Sequence, residues 1–316
     1  MAGIGIAALG GMAVNGLAQQ ARTYTSAREV YGALEEQPGQ DIAIGDATIR
    51  LVYADGAPGV DRMLVEQWVR ESAAAIVAYF GTFPAKRFGL VVIADNGNRV
   101  GHATTWGFDG AAGRIEVGTG AGRDAFLRDW VLVHEMVHAA LPSVPRRALW
   151  LQEGAATYLE PIARAIGGQL PSDAVWKQAI DGMPNGIPPA GDGGLDGTER
   201  WGRLYWGGAF FWLSAEIAVF EATRGKATLR QGLALIGRES GGNGSYIEPE
   251  DLMDLADTVY GTPILRPLYA RFAETRVEPD LALTFARLGV AEDGDRLRYD
   301  DRAELSELRR SMTYAT

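Results

Sequence analysis

Only three histidines occur in the 316 residues, and two of them, His134 and His138, stand four apart in an apolar stretch with Glu135 between them. On an α-helix, positions four apart lie about 40° from each other on one face, so both imidazoles can reach a single cation. Glu135 projects beside them, placed to take a proton from water activated by that cation. Phe126, Leu127, Trp130 and Val131 precede the pair and give the helix a side to bury. Zinc suits such a set: it accepts neutral imidazole, has no redox chemistry and leaves a fourth position open when three protein ligands bind. One zinc ion is the expected cofactor.

The third ligand must come from elsewhere. No histidine follows His138, and His102 lies upstream in a Gly- and Asp-rich region. Glu153 is the better choice. It opens the next helical stretch, Leu149-Trp150-Leu151-Gln152-Glu153-Gly154-Ala155, and Pro142 and Pro145 between the helices let the chain double back. There are no cysteines, which removes thiolate zinc sites, disulfide scaffolds, iron–sulfur clusters and cysteine nucleophiles together. A net charge of −10 argues against a nucleic-acid partner.

The rest of the chain frames this helix. Residues 47–53 and 88–94 read as strands, 61–80 as a helix, and 104–106 and 114–117 as shorter strands. A helix is expected from an N-cap at Asp124 to Leu141, and another over 148–166. Residues 181–202 are rich in Gly and Pro and read as a long loop. Beyond it, 204–223, 227–237, 249–260 and 264–276 carry helical spacing. The expected organisation is an α/β lobe over 21–141 ending in the histidine helix, a helical lobe over 142–290, and a charged tail over 291–316. Residues 1–20 are small, apolar and uncharged, in the manner of a signal peptide lacking its basic start. A periplasmic or secreted location is the expectation, with the cytoplasm as the alternative, and no stable membrane span is expected.

His-Glu-x-x-His followed by Trp150-x-x-Glu153-Gly154-x-Ala156-x-Tyr158 resembles the gluzincin metallopeptidases, the thermolysin-like group that includes the aminopeptidase N and glycyl aminopeptidase families. Leu204-Tyr205-Trp206-Gly207-Gly208, with Thr223-Arg224-Gly225-Lys226-Ala227-Thr228-Leu229 after it, is similar to the downstream pattern of the latter family. The resemblance implies an α+β thermolysin-like catalytic domain, zinc on His134, His138 and Glu153, Glu135 as the general base and Tyr205 as the residue steadying the tetrahedral intermediate. It implies a peptide or protein substrate, cleaved by an aminopeptidase or an endopeptidase. The fourteen residues between His138 and Glu153 make a shorter link than in thermolysin or aminopeptidase N.

Gluzincins hold substrate backbone along an edge strand by β-augmentation, and residues 113–117 are the expected edge. Glu116 there is the expected substrate-binding residue, a carboxylate for a free amine. Thr157 is a possible orienting partner for a ligand histidine, whereas Asp129 reads as a surface carboxylate. Tyr158 is expected to turn away into packing. The aromatic residues Trp201, Trp206, Phe210, Phe211 and Trp212 read as core before pocket. A non-catalytic zincin-fold binding protein and a zinc hydrolase of a non-peptide ester or amide are the alternatives.

Overall fold

A computed structural model describes residues 23–314. In chain order the elements are α1 (Ala27–Glu36), β1 (Gly39–Ile44), β2 (Ala47–Tyr53), α2 (Arg62–Phe80), β3 (Arg87–Asp95), β4 (Val100–Trp106), β5 (Ala111–Gly118), α3 (Arg123–Leu127), α4 (Val131–Ala140), α5 (Leu149–Ile166), α6 (Ser172–Gly182), α7 (Gly208–Thr223), α8 (Leu229–Ser240), α9 (Pro249–Asp257), α10 (Leu265–Glu274), α11 (Leu281–Leu288), β6 (Val290–Asp293), β7 (Arg296–Tyr299) and α12 (Ser306–Thr313). A mixed sheet lobe is thus followed by a mostly helical one, an α+β arrangement. The expected signal segment, residues 1–20, lies outside the described residues. Among the described residues no helix is long and apolar enough to cross a membrane.

The main sheet has the order β1-β2-β3-β5-β4, with β2, β3 and β5 parallel and the two outer strands antiparallel to their neighbours. Side-chain alternation divides it into two faces. Val52, Val91 and Ala112 meet Val30 and Ala33 of α1. Leu51, Leu90, Val92, Ile115 and Val117 join the main core with α2 and α4. Each such side chain, fully removed from water, stabilises the fold by roughly 1.5–3 kcal/mol. β5 inserts beside β3, which pushes β4 to the margin, so the edge strand is β4 and not 113–117 as its composition suggested.

Two further expectations change. The helix expected over 124–141 is broken: α3 ends at Leu127 and α4 begins only at Val131. Asp129 makes the break, because its carboxylate accepts from the Val131 and Leu132 backbone N–H groups at 3.1 Å each and from Trp68 Nε1 at 3.1 Å. It is a buried cap and not a surface charge. The charged tail is also folded. Leu305, Leu308 and Met312 are buried with α12, and the Arg309 guanidinium donates to the Leu288 and Gly289 carbonyls at 3.2 and 2.9 Å. Their spacing is that of an amphipathic helix, which the surrounding charges conceal.

Candidate metal centre

α4 carries seven buried residues in ten, and only Val131, Glu135 and His138 are part-exposed, so its register is fixed by packing. The short link doubles back and is held by Gln152 Nε2 donating to the Pro142 carbonyl at 3.0 Å. This sets the first turns of α5 against α4. Glu153 Oε2 then lies 3.5 Å from His134 Nε2 and 3.6 Å from His138 Nε2. These separations are long for hydrogen bonds. They match the edges of a tetrahedron around an ion about 2.0–2.2 Å from each donor. Glu153 Oε2 is buried and has no hydrogen-bond partner, an orphan acceptor that a cation would satisfy. Among the described residues, His134, His138 and Glu153 alone form such a metal-sized group, and His102 stands apart from it on the cleft rim.

Electrostatics set ligand-ready protonation at His134 and Glu153, whereas at His138 burial is outweighed by Glu153 and Glu135 and the pKa is raised. Burial lowers the His134 pKa, keeping the imidazole neutral. Burial also works to raise Glu153, but the two imidazoles outweigh it and hold the carboxyl well below the usual range.

The glycine after the ligand has a packing reason. A Cβ on Gly154 would sit 2.3 Å from the Gly208 carbonyl carbon, and one on Gly208 would sit 2.2 Å from the Trp150 carbonyl oxygen. α5 and α7 therefore touch backbone to backbone beside Glu153. The wide π-helical turn Arg203–Gly207 leads into α7 and presents Tyr205, whose ring is parallel to His134 at 6.0 Å. Burial, then Glu153 and Glu135, raise the Tyr205 hydroxyl above its ordinary pKa, so it stays a donor. Glu135 lines the cleft beside the ligands.

That cleft, of about 570 Å³, runs between the metal-sized group and β4, with Asn243–Tyr246 closing one side. Asn243 Nδ2 donates to the Trp106 carbonyl at 3.2 Å, so the outer edge of β4 is occupied there.

Glu116 is not in this cleft. On β5 it shares the parity of Ala112, the face toward α1, while Ile115 and Val117 face the metal helix. It pairs with the buried Arg114 guanidinium, which needs a counterion, and accepts the His102 backbone N–H at 3.4 Å. Thr157 donates to the Glu153 backbone carbonyl at 2.8 Å and not to a histidine. Tyr158 turns away, its hydroxyl donating to Glu216 Oε2 at 3.2 Å. The aromatic group divides: Phe210, Phe211 and Trp212 are core, while Trp201 is 61% exposed and lines a second cavity with Trp206. That cavity was not foreseen; Trp130, placed in sequence on the buried side of the helix, stands on its wall.

No protein-family model matches the sequence, and no curated protein matches it. Solved structures do. An M1 zinc metallopeptidase from Deinococcus radiodurans aligns with 78% of this chain at 21% identity and a TM-score of 0.50, over 53% of its own length. An aminopeptidase N family protein from Idiomarina loihiensis aligns with 80% at 12% identity and a TM-score of 0.57, over 49% of its length. The fold is that of the M1 zinc metallopeptidases. The chain spans about half the length of these structures.

Proposed function

We propose that this protein is a zinc-dependent metallopeptidase. The observation that carries the reading is the convergence of His134, His138 and an unpartnered Glu153 oxygen within 4.8 Å of one another, beside Glu135, in a cleft along a free strand edge. A zinc ion held by these three residues would polarise a scissile carbonyl and lower the pKa of water toward about 7. Glu135 accepts the water proton and returns it to the leaving amine. The Tyr205 hydroxyl, kept protonated, donates to the developing oxyanion. β4, unpaired among the described residues along its outer edge before Trp106, hydrogen-bonds an extended substrate backbone.

Internal peptide bonds are the better-supported substrate. Among the described residues, Glu135 and Glu153 are the only carboxylates lining the cleft, and Glu116 is spent on Arg114 on the opposite face of the sheet. Among the described residues of this cleft, nothing acidic is left for a terminal ammonium group; Glu160 lies in the adjoining cavity. Incubation with a mixed peptide library, with and without a zinc chelator, and mass spectrometry of the products tests both points. Chelator-sensitive internal cuts are expected. Terminal trimming alone would overturn the endopeptidase assignment, and no cleavage by folded, zinc-loaded protein would overturn the peptidase reading. Export directed by residues 1–20 is a separate proposal, checked by sequencing the amino terminus of the protein recovered from cell fractions.

A further inference from the structure

A second cavity, of about 520 Å³, adjoins the metal centre on the His134 and Tyr205 side, away from β4. Its walls are aromatic. Trp201 stacks on Tyr205 at 5.3 Å, Tyr205 on His134 at 6.0 Å, and the Trp130 ring meets His134 edge-on at 5.5 Å. Trp206 lies so close over Gly182 that a Cβ there would be 2.1 Å from its ring. Two of these rings are unusual for a surface: Trp130 is 50% exposed and Trp201 is 61% exposed. Both line the same cavity.

The charges lining this cavity are of one sign. Glu160 and Asp181 line it, and among the described residues no Lys or Arg does. Asp181 is exposed and already held by Lys177 at 2.9 Å, so it adds little. Glu160 is different, being 96% buried. Its Oε1 takes Arg164 at 2.8 Å, while Oε2 has no hydrogen-bond partner among the described residues. Arg164, its ion-pair partner, also donates to the Leu127 carbonyl at 3.1 Å and does not line the cavity. The cavity lining thus offers a carboxyl group with one open oxygen and no cation of its own among the described residues. Burial pushes the Glu160 carboxyl up to about 7, with Arg164 opposing it, and a cation in the cavity would restore its ionised form.

We infer that this cavity is a specificity pocket for a cationic side chain, Lys or Arg, of the residue next to the cleaved bond. Trp130, Trp201 and Trp206 offer aromatic surface to the cation, and Glu160 Oε2 offers the anion. The inference rests on the peptidase reading for its substrate, but the pocket itself is testable without turnover.

The direct test is titration of the full-length protein with n-butylguanidine and with its neutral isostere N-butylurea, followed by tryptophan fluorescence and calorimetry, with and without chelator. The cation is expected to bind roughly tenfold more tightly than the urea. Glu160→Gln should remove most of that preference, and Trp201→Ala, a surface change that leaves the core intact, should weaken cation binding several-fold. Equal binding of the two probes, or a preference indifferent to both substitutions, would overturn the assignment. Peptide cleavage without preference for Lys or Arg would overturn it while leaving the peptidase standing. Selective cation binding with no cleavage of any peptide would support the pocket and remove the peptidase.

Discussion

Two carboxylates on the same helix, Glu153 near the start of α5 and Glu160 seven residues on, lie on one face and are treated in opposite ways. Glu153 faces two imidazoles and is held ionised well below the usual range; Glu160 faces one guanidinium and is pushed up to about 7. Burial acts the same way on both. The difference comes from the number of opposing partners, and it separates a group fit to hold a metal from one fit to receive a ligand's charge.

The largest expected effect comes from breaking the first of the pair. Glu153→Ala should lower zinc affinity by roughly 100-fold or more, with turnover falling alongside, measured by competition with a chromogenic chelator. Unchanged metal content would overturn Glu153 as the third ligand. Next is the backbone contact that seats Glu153: Gly154→Ala must force α5 from α7 and should cost about 3 kcal/mol in urea unfolding. A cost below about 0.5 kcal/mol would show that the helices do not meet there.

The pH dependence sharpens the contrast. A carboxyl depressed in the folded state, as Glu153 is, contributes stability above about pH 4.5 that is lost as pH falls. A carboxyl raised from 4.5 to about 7, as Glu160 is, binds its proton more tightly folded than unfolded, so stability falls as pH rises through that window. The integrated change is about 3 kcal/mol at most, and Glu160→Gln should flatten that part of the wild-type stability profile. An unaltered profile would place Glu160 in an ordinary ion pair. The smallest effect is expected from Thr157→Val, which loses a bond to a backbone carbonyl; zinc affinity should stay within about twofold, since no ligand histidine depends on it.

The metal-sized group was legible because it is written locally: two histidines one turn apart, and a glutamate brought back by a short link with two prolines. Glu116 was misread because sheet order is not local. The position of β5 between β3 and β4, and the parity that turns Glu116 toward α1, depend on pairings across the chain. Asp129 and Asp124 carry the same capping chemistry in sequence, and the carboxylate that caps α4 is the one also held by Trp68, sixty-one residues away in the chain. The aromatic cavity joins residues from α4, α5, α6 and the segment before α7, which no single window contains.

The most direct test of the account is Glu135→Gln, assayed for bound zinc by elemental analysis and for turnover of a peptide that the wild-type protein cleaves. The account predicts full zinc occupancy with turnover reduced by about a thousandfold, the loss of a proton carrier and not of the metal. Wild-type turnover at full zinc occupancy would contradict it.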